Sequence, residues 1–195
     1  IGARYRTPII DATASGFYNK GKNMIDWVMY TPDDVYNSAT FELDNMGVEL
    51  SAILNFRSLI DENFFINKLN LSYAYIHQER HDDTEIFKSN YALEYLRHKI
   101  VARLDHRIWN NLHASWAFRW QDRMGSYIRY VNTESTGELV PYTSFGLVDM
   151  KISWNKEKYI IFSEVNNLLN QTYYDLGNIT QPGIWIRCGI SIKLP

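Results

Sequence analysis

Cysteine is almost missing from this chain. Cys188 is the single one among 195 residues. No disulfide can therefore close within the chain, and no zinc site can rest on several thiolates. Long apolar runs are missing too. The most apolar stretches, such as Tyr159 to Phe162, fall far short of the about 18 residues that a spanning helix requires. A membrane-embedded form of this chain must then be a closed sheet, because hydrocarbon cannot satisfy an open strand edge. Nor is there an excess of one charge. Lys and Arg number 20 against 22 Asp and Glu, a net charge of −2, and no basic field marks a nucleic-acid binder. Gly-x-Gly-x-x-Gly and Walker loops are absent, so nucleotide binding has no support. No Gly-x-Ser-x-Gly elbow occurs, and the Ser and Asp residues are scattered, which leaves a nucleophilic triad without support. The chain opens at Ile1 with neither a basic nor an apolar leader segment. We expect it to be a processed product or a piece of something longer.

What the chain has in quantity is aromatic side chains, 15% of the total, with 14 Tyr, 9 Phe and 6 Trp. They sit in stretches with a period of two. Val148, Met150, Ile152 and Trp154 alternate with Asp149, Lys151 and Ser153. Leu69, Leu71, Tyr73 and Tyr75 alternate with Lys68, Asn70, Ser72 and Ala74, and Ile184 to Leu194 repeats the pattern. Such alternation describes strands with different surroundings on their two faces. The stretches run to about 10 residues, the length of a tilted strand crossing a bilayer. A soluble sandwich would show the same alternation with its charged side in water, so the period leaves both readings open.

The connections discriminate better. Asp105 to Asn110 and Asn155 to Lys158 are short, whereas Tyr30 to Thr40, His77 to Asn90, Arg123 to Tyr142 and Asn167 to Pro182 are long and polar. Short and long alternate, as they do in outer-membrane barrels with tight turns at one rim and loops at the other. The coarse reading is nine strands: 2–6, 9–30 with a bulge near 19–23, 40–57, 66–77, 93–105, 110–122, 143–154, 159–167 and 184–194. The fold class expected is all-β, a transmembrane antiparallel β-barrel represented by a C-terminal fragment of about nine strands. The segment Asn90 to Arg97 is taken as a strand entrance. Arg97, Lys99, Arg103, Arg119, Lys151, Arg187 and Lys193, with Asp105, Asp149 and Glu164, are expected to line a watery lumen, paired mainly with one another or with a plug.

The candidate binding residues lie in the loops. His77, His81 and Asp82, with Glu79, Arg80 and Asp83, offer ligand types for a metal. No fixed ligand spacing accompanies them, and a hydrated loop tip is the better account. Tyr127, Tyr130, Tyr142, Tyr173 and Tyr174 can stack on a ligand or form an interfacial girdle. Cys188 falls on the apolar side of its strand and reads as an inert thiol.

The run Val165-Asn166-Asn167-Leu168-Leu169-Asn170-Gln171-Thr172-Tyr173-Tyr174, followed by Pro182-Gly183, resembles the penultimate-strand motif of TonB-dependent outer-membrane receptors. Gly16-Phe17-Tyr18-Asn19, Asn23-Met24-Ile25-Asp26-Trp27 and Gly47-Val48-Glu49 are similar to further landmarks of that family, in order. Leu169 stands where the family has Phe, and the chain closes on Leu194-Pro195 instead of an aromatic. The resemblance spans residues 1–195 and implies the last part of a barrel of about 22 strands, without its plug domain or Ton box. It implies the outer membrane of a Gram-negative bacterium, with the four long loops outside the cell. It further implies import of a scarce small-molecule chelate, an iron–siderophore, haem or cobalamin, driven through the TonB–ExbB–ExbD complex. Outer-membrane lipid would be a partner; nucleic acid, a cofactor and catalysis are not implied. The other readings are a passive porin, a soluble β-sandwich binding module, and a barrel enzyme with a Ser/His/Asp set at one rim.

Overall fold

The computed structural model describes residues 1–81, 84–90 and 92–192. The alternating stretches form strands β1 (Gly2–Arg6), β2 (Ile10–Met29), β3 (Asn37–Asn55), β4 (Ile66–Arg80), β5 (Lys88–Ser89), β6 (Leu96–Trp109), β7 (Leu112–Arg123), β8 (Ser126–Val131), β9 (Glu134–Pro141), β10 (Phe145–Asn155), β11 (Tyr159–Asn166) and β12 (Trp185–Ile192), with one helical turn, α1 (Phe56–Leu59). They build a 10-stranded sheet in the order β1-β2-β3-β4-β6-β7-β10-β11-β12, with β5 added at the end of β2. All its pairings are antiparallel. Among the described residues no second sheet packs across either face; the other one is the two-stranded β8-β9 hairpin inside a loop. That excludes a sandwich.

The faces are set by register. Leu50 stands opposite Tyr73, Tyr73 opposite Ile100, and Ile100 opposite Trp120. In the next row, Ala52, Leu71, Ala102, Phe118 and Val148 are aligned across five strands. These side chains are not gathered into a core. Leu50, Leu71, Ile100, Phe118, Ile161, Ile186 and Ile190 are all exposed. A continuous apolar surface of this kind belongs against hydrocarbon, where its exposure carries no hydration cost. Cys188 lies in it, exposed, with its Sγ 3.4 Å from the Ser163 hydroxyl. The opposite face is polar and charged. Close cross-strand contacts tighten it at two glycines: Phe17 lies over Gly47 and Phe162 over Gly189, so near that an added Cβ would meet the rings at 2.5 and 2.6 Å.

The short connections share one rim. There Asn55 donates from its backbone to Ile9, Arg107 to Phe65, and Asn155 to Asn111. All long connections share the other. The bulge expected near 19–23 appears as a register shift between Gly21 and Met24, with Asn23 at φ 55. A second shift, between Leu96 and His98, turns Arg97 out of its expected row. Its guanidinium instead holds Asp122, at 2.6 and 3.0 Å, and Asp122 follows Phe118 and Trp120 on the apolar face. Asn90 to Arg97 is therefore mostly loop, and β6 begins at Leu96. Lys193 and Leu194, the end of the expected last strand, lie outside the described residues.

Candidate ligand-binding mouth

Chain reversals at the long-loop rim are made by side chains. Asn167, just after β11, sits at φ 50, in the left-handed region that Asn tolerates better than most residues. Its side-chain amide donates to the carbonyls of Gln171 (2.8 Å) and Pro182 (3.3 Å), and its Oδ1 accepts from the Gln171 N–H (2.9 Å). Asn170 Oδ1 accepts from the Ile184 N–H at 2.9 Å, where the chain re-enters the sheet. The two asparagines of the Asn-Leu-Leu-Asn run thus clamp both ends of the 167–184 loop together.

The clamped loop bends over the polar face. Tyr173 packs on Phe145 with ring centroids 4.5 Å apart, and Phe145 and Leu147 are buried. Asp175 accepts from Gln121 Nε2 (2.6 Å) and faces Arg123 (3.5 Å). Arg123 also donates to the Glu94 carbonyl, and Tyr142 donates to the Glu94 carboxylate, each at 3.0 Å. The same Tyr142 oxygen accepts the Gly177 N–H at 2.8 Å. Asn178 reaches the Tyr130 carbonyl, and Glu94 pairs with Lys88. Three loops are joined in this way. The β2 end enters through Asp26, 1% exposed, whose carboxylate accepts from Trp27 N–H, Ser89 hydroxyl and Ala92 N–H.

Between these loops lies a cleft of about 290 Å³, lined among others by Tyr36, Lys88, Glu94, Tyr127, Tyr130 and Tyr142. Burial raises the Tyr142 phenol above its ordinary range, partly offset by the Gly177 N–H, and burial also raises Tyr127. Both stay protonated near neutrality, and Tyr142 donates to Glu94. Burial presses the Lys88 ammonium down to about 8, with the Asp26 charge acting against it. The cleft offers phenolic faces, a few donors and one carboxylate–ammonium pair, a lining for stacking and hydrogen bonding.

The six sequence candidates divide. Tyr130 lines the cleft, half exposed. Tyr174 stacks on Tyr127 at 5.4 Å, and Tyr173 closes on Phe145 just beneath. His77, by contrast, stands opposite Met46 on the apolar-face register, and His81 Nε2 lies 2.9 Å from Asp44, a carboxylate that Tyr18 also contacts. The two histidines are apart from the cleft. Asp82 lies outside the described residues. Among the described residues no group of three or more His, Cys, Asp or Glu is placed to hold a metal ion. Tyr36, Lys88, Glu94 and Asp175 complete the mouth, and sequence reasoning missed them. The one available signal was the run of polar residues between periodic segments, which marks a loop but does not rank its members.

Below the mouth, the polar wall carries ion pairs. Asp11 faces Arg4 (2.7 Å) and Arg6 (3.0 Å), Asp105 faces Arg103 (3.2 Å), and Glu164 faces Arg187 (2.9 Å) and Lys151 (3.8 Å). Asp149 accepts from the Asn167 N–H at 2.8 Å.

A family model for the TonB dependent receptor-like β-barrel matches residues 1–168. Three similar solved structures are an iron transporter, a copper transporter and a ferric yersiniabactin uptake receptor. The FrpB iron transporter from Neisseria meningitidis (F3-3 variant) is 19% identical, with a TM-score of 0.68 over 97% of this chain and 29% of that one. The copper transporter OprC is 14% identical, with a TM-score of 0.71 over 97% and 28%. The ferric yersiniabactin uptake receptor FyuA from Yersinia pestis is 18% identical, with a TM-score of 0.62 over 97% and 28%. The chain thus spans under a third of the length of each. No curated protein sequence matches it. With an exposed apolar face, alternating short and long rims and a family match over most of its length, the chain belongs to the TonB-dependent receptor-like β-barrel family.

Proposed function

We propose that the chain is the C-terminal part of the barrel of a Gram-negative outer-membrane receptor. The receptor captures a scarce metal chelate, an iron–siderophore, haem or cobalamin, and imports it with energy from the TonB–ExbB–ExbD complex. The supporting observation is the convergence of the long connections on one phenol-lined cleft while the short turns stay at the other rim. Capture is then assigned to the mouth, with Tyr130, Tyr173 and Tyr174 as stacking residues. The role is binding and transfer, with no bond made or broken. Loops tied to one another, as Tyr142 and Arg123 tie them here, favour a built binding surface over an open passive channel. The plug and Ton box belong to the part of the receptor outside this chain.

The test uses the full-length receptor in a host stripped of its own receptors. Uptake of iron-55 as ferric siderophore or haem, and of labelled cobalamin, is followed with and without TonB. The expected outcome is uptake of one class that stops when TonB is deleted. Uptake that persists without TonB makes the protein a passive pore and overturns the proposal.

A further inference from the structure

β2 and β3 run on together past the bulge, as far as Val28 opposite Asn37. The two faces of this extension differ. Asp26, Val28, Phe41 and Leu43 are buried, whereas Ser38, Thr40 and Glu42 are exposed, and Ile25 and Trp27 are 74% and 52% exposed. The bulge sets the division. β3 keeps its alternation, so Glu42, Thr40 and Ser38 continue the apolar-face side of Leu50, Val48 and Met46. β2 gains one residue between Gly21 and Met24, and its parity inverts. Below the bulge Tyr18 and Lys20 hold that outer side. Above it Ile25 and Trp27 take it, opposite Thr40 and Ser38, while Asp26 turns in to meet Ser89.

This outer patch stands clear of the bilayer. Met46 and Ser38 are eight positions apart on β3, about 26 Å along a strand and about 20 Å in height at a tilt of about 40°. The headgroup layer on one side is only about 5–8 Å thick. A charged belt separates the patch from the hydrocarbon band: Lys20 stands opposite Asp44 and Asp44 opposite Glu79, with Glu42 next on β3 and Lys22 in the bulge itself. The belt is mixed in sign, and His81 lies on Asp44, so it does not gather an anion. Nor is the patch broad. A specific protein partner needs about 800 Å² and 20–30 residues a side, and one face of a two-stranded ribbon offers far less. A small occupant fits it better.

From this placement we infer that the outer face of the β2–β3 extension is a sugar-stacking platform, and that its occupant is the oligosaccharide of a glycolipid in the leaflet around the barrel. The Trp27 indole and Ile25 receive the C–H face of a sugar ring, a pairing suited to an aromatic that is apolar in body and wet at its edge. The Ser38 and Thr40 hydroxyls and the Glu42 carboxylate take up the sugar hydroxyls. The lipid part of the same molecule lies along Met46, Val48 and Leu50, exposed on the same side. The inference rests on the outer-membrane placement proposed above and is independent of the cargo.

The full-length receptor, delipidated in detergent, is titrated with two forms of lipopolysaccharide and the bound mass read by native mass spectrometry. One form carries its complete core oligosaccharide; the other is cut back to the lipid and its phosphate-bearing sugars. The variants are Trp27→Ala, Trp27→Phe and Trp154→Ala, the last an exposed indole at the short-turn rim. The complete form should bind about tenfold more tightly than the truncated one, the order of one aromatic contact with its buried area. Trp27→Ala should erase that advantage, and the other two variants should keep it. Equal affinity for both forms in the unaltered receptor overturns the inference, as does an advantage that survives Trp27→Ala. A change of oligomeric mass in Trp27→Ala with the advantage intact also overturns it, and gives the patch to a second copy. Where Trp27→Ala also unprotects the Ala92 amide, which Asp26 holds, Ser38→Ala/Thr40→Ala decides. It leaves the indole in place and should cut the advantage several-fold; no cut overturns the inference. The transport reading fails separately. A sugar preference without TonB-dependent uptake leaves the platform and removes the transporter, and TonB-dependent uptake without a sugar preference does the reverse.

Discussion

The wall of this sheet and the crown of loops above it are held by different bonds. The wall is a backbone ladder whose register is fixed by alternation: Leu71 and Phe118 on one face, Asn70 and Ala117 on the other. Any residue of the right class serves at most of its positions, because shifting a strand by one residue would put every charge into hydrocarbon. The crown has little ladder of its own. It depends on single polar atoms, such as the Asp26 carboxylate, the Tyr142 hydroxyl and the Asn167 amide, each with two or more partners. Classes of residue therefore encode the wall, and individual residues encode the crown.

Asp26→Ala is the largest expected disturbance of the crown. It strands three donors around a site 1% exposed. Removal of one partner from a buried charged network costs roughly 4 kcal/mol. Hydrogen exchange on the full-length receptor should show the Trp27 and Ala92 amides losing protection while those of Ile100 and Phe118 keep theirs. Equal loss in both regions would mean that wall and crown open together, and the distinction would fall. The wall's own test is a pair of adjacent positions. Phe118→Arg puts a cation into the apolar face and should cost about 3 kcal/mol in urea-driven unfolding from bilayers. Ala117→Arg, one residue back on the polar face, should cost less than about 1 kcal/mol. Similar values for the two would contradict the assignment of faces.

This division explains what the sequence disclosed. The nine strands were readable because period two is written many times over, and the bulge expected near 19–23 is the Gly21/Met24 register shift. The β8-β9 hairpin escaped notice. Its reversal is made by Asn132 and Thr133, both at positive φ, where an Asn-Gly pair would have advertised the turn. The segment therefore read as a plain loop. Arg97 was misplaced for a similar reason: one extra residue in β6 inverts the parity on which face assignment rests. At the mouth, aromatic loop residues drew attention by type: Tyr130 lines the cleft, Tyr174 stacks on its lining residue Tyr127, and Tyr173 packs on Phe145 outside it. His77 and His81 drew attention by chemistry, yet β4 carries His77 out along the apolar-face register, and His81 just beyond its end meets Asp44 there. Lys88 and Glu94 come together only through the tertiary path of their loop.

A smaller effect sharpens the comparison within the crown. Asn167→Ala loses three hydrogen bonds and puts Ala at φ 50. The expected cost is about 2 kcal/mol, confined to the 167–184 loop and read as faster exchange at Gln171. Asn167→Gly keeps the backbone freedom and should recover part of that loss. Full recovery would show that the backbone conformation, not the amide, is what the position requires.

The smallest effect concerns Lys88, and its sign is definite. In an opened loop the ammonium titrates near its ordinary value of about 10.4, whereas burial brings it to about 8 in the closed one. Between those values the opened loop holds more protons than the closed one, so closing releases a proton and rising pH favours closure. From pH 7.5 to 8.5 the gain is below about 1 kcal/mol, because only part of the population titrates over that step. Exchange at Ser89 and Asn90, corrected for its intrinsic pH dependence, should slow accordingly, and Lys88→Met should abolish the trend. The Asp26 and Glu94 carboxylates oppose the shift. Should their attraction outweigh burial, the trend disappears or reverses in the unaltered receptor, and Lys88 becomes a plain ion-pair residue with no titration near neutrality.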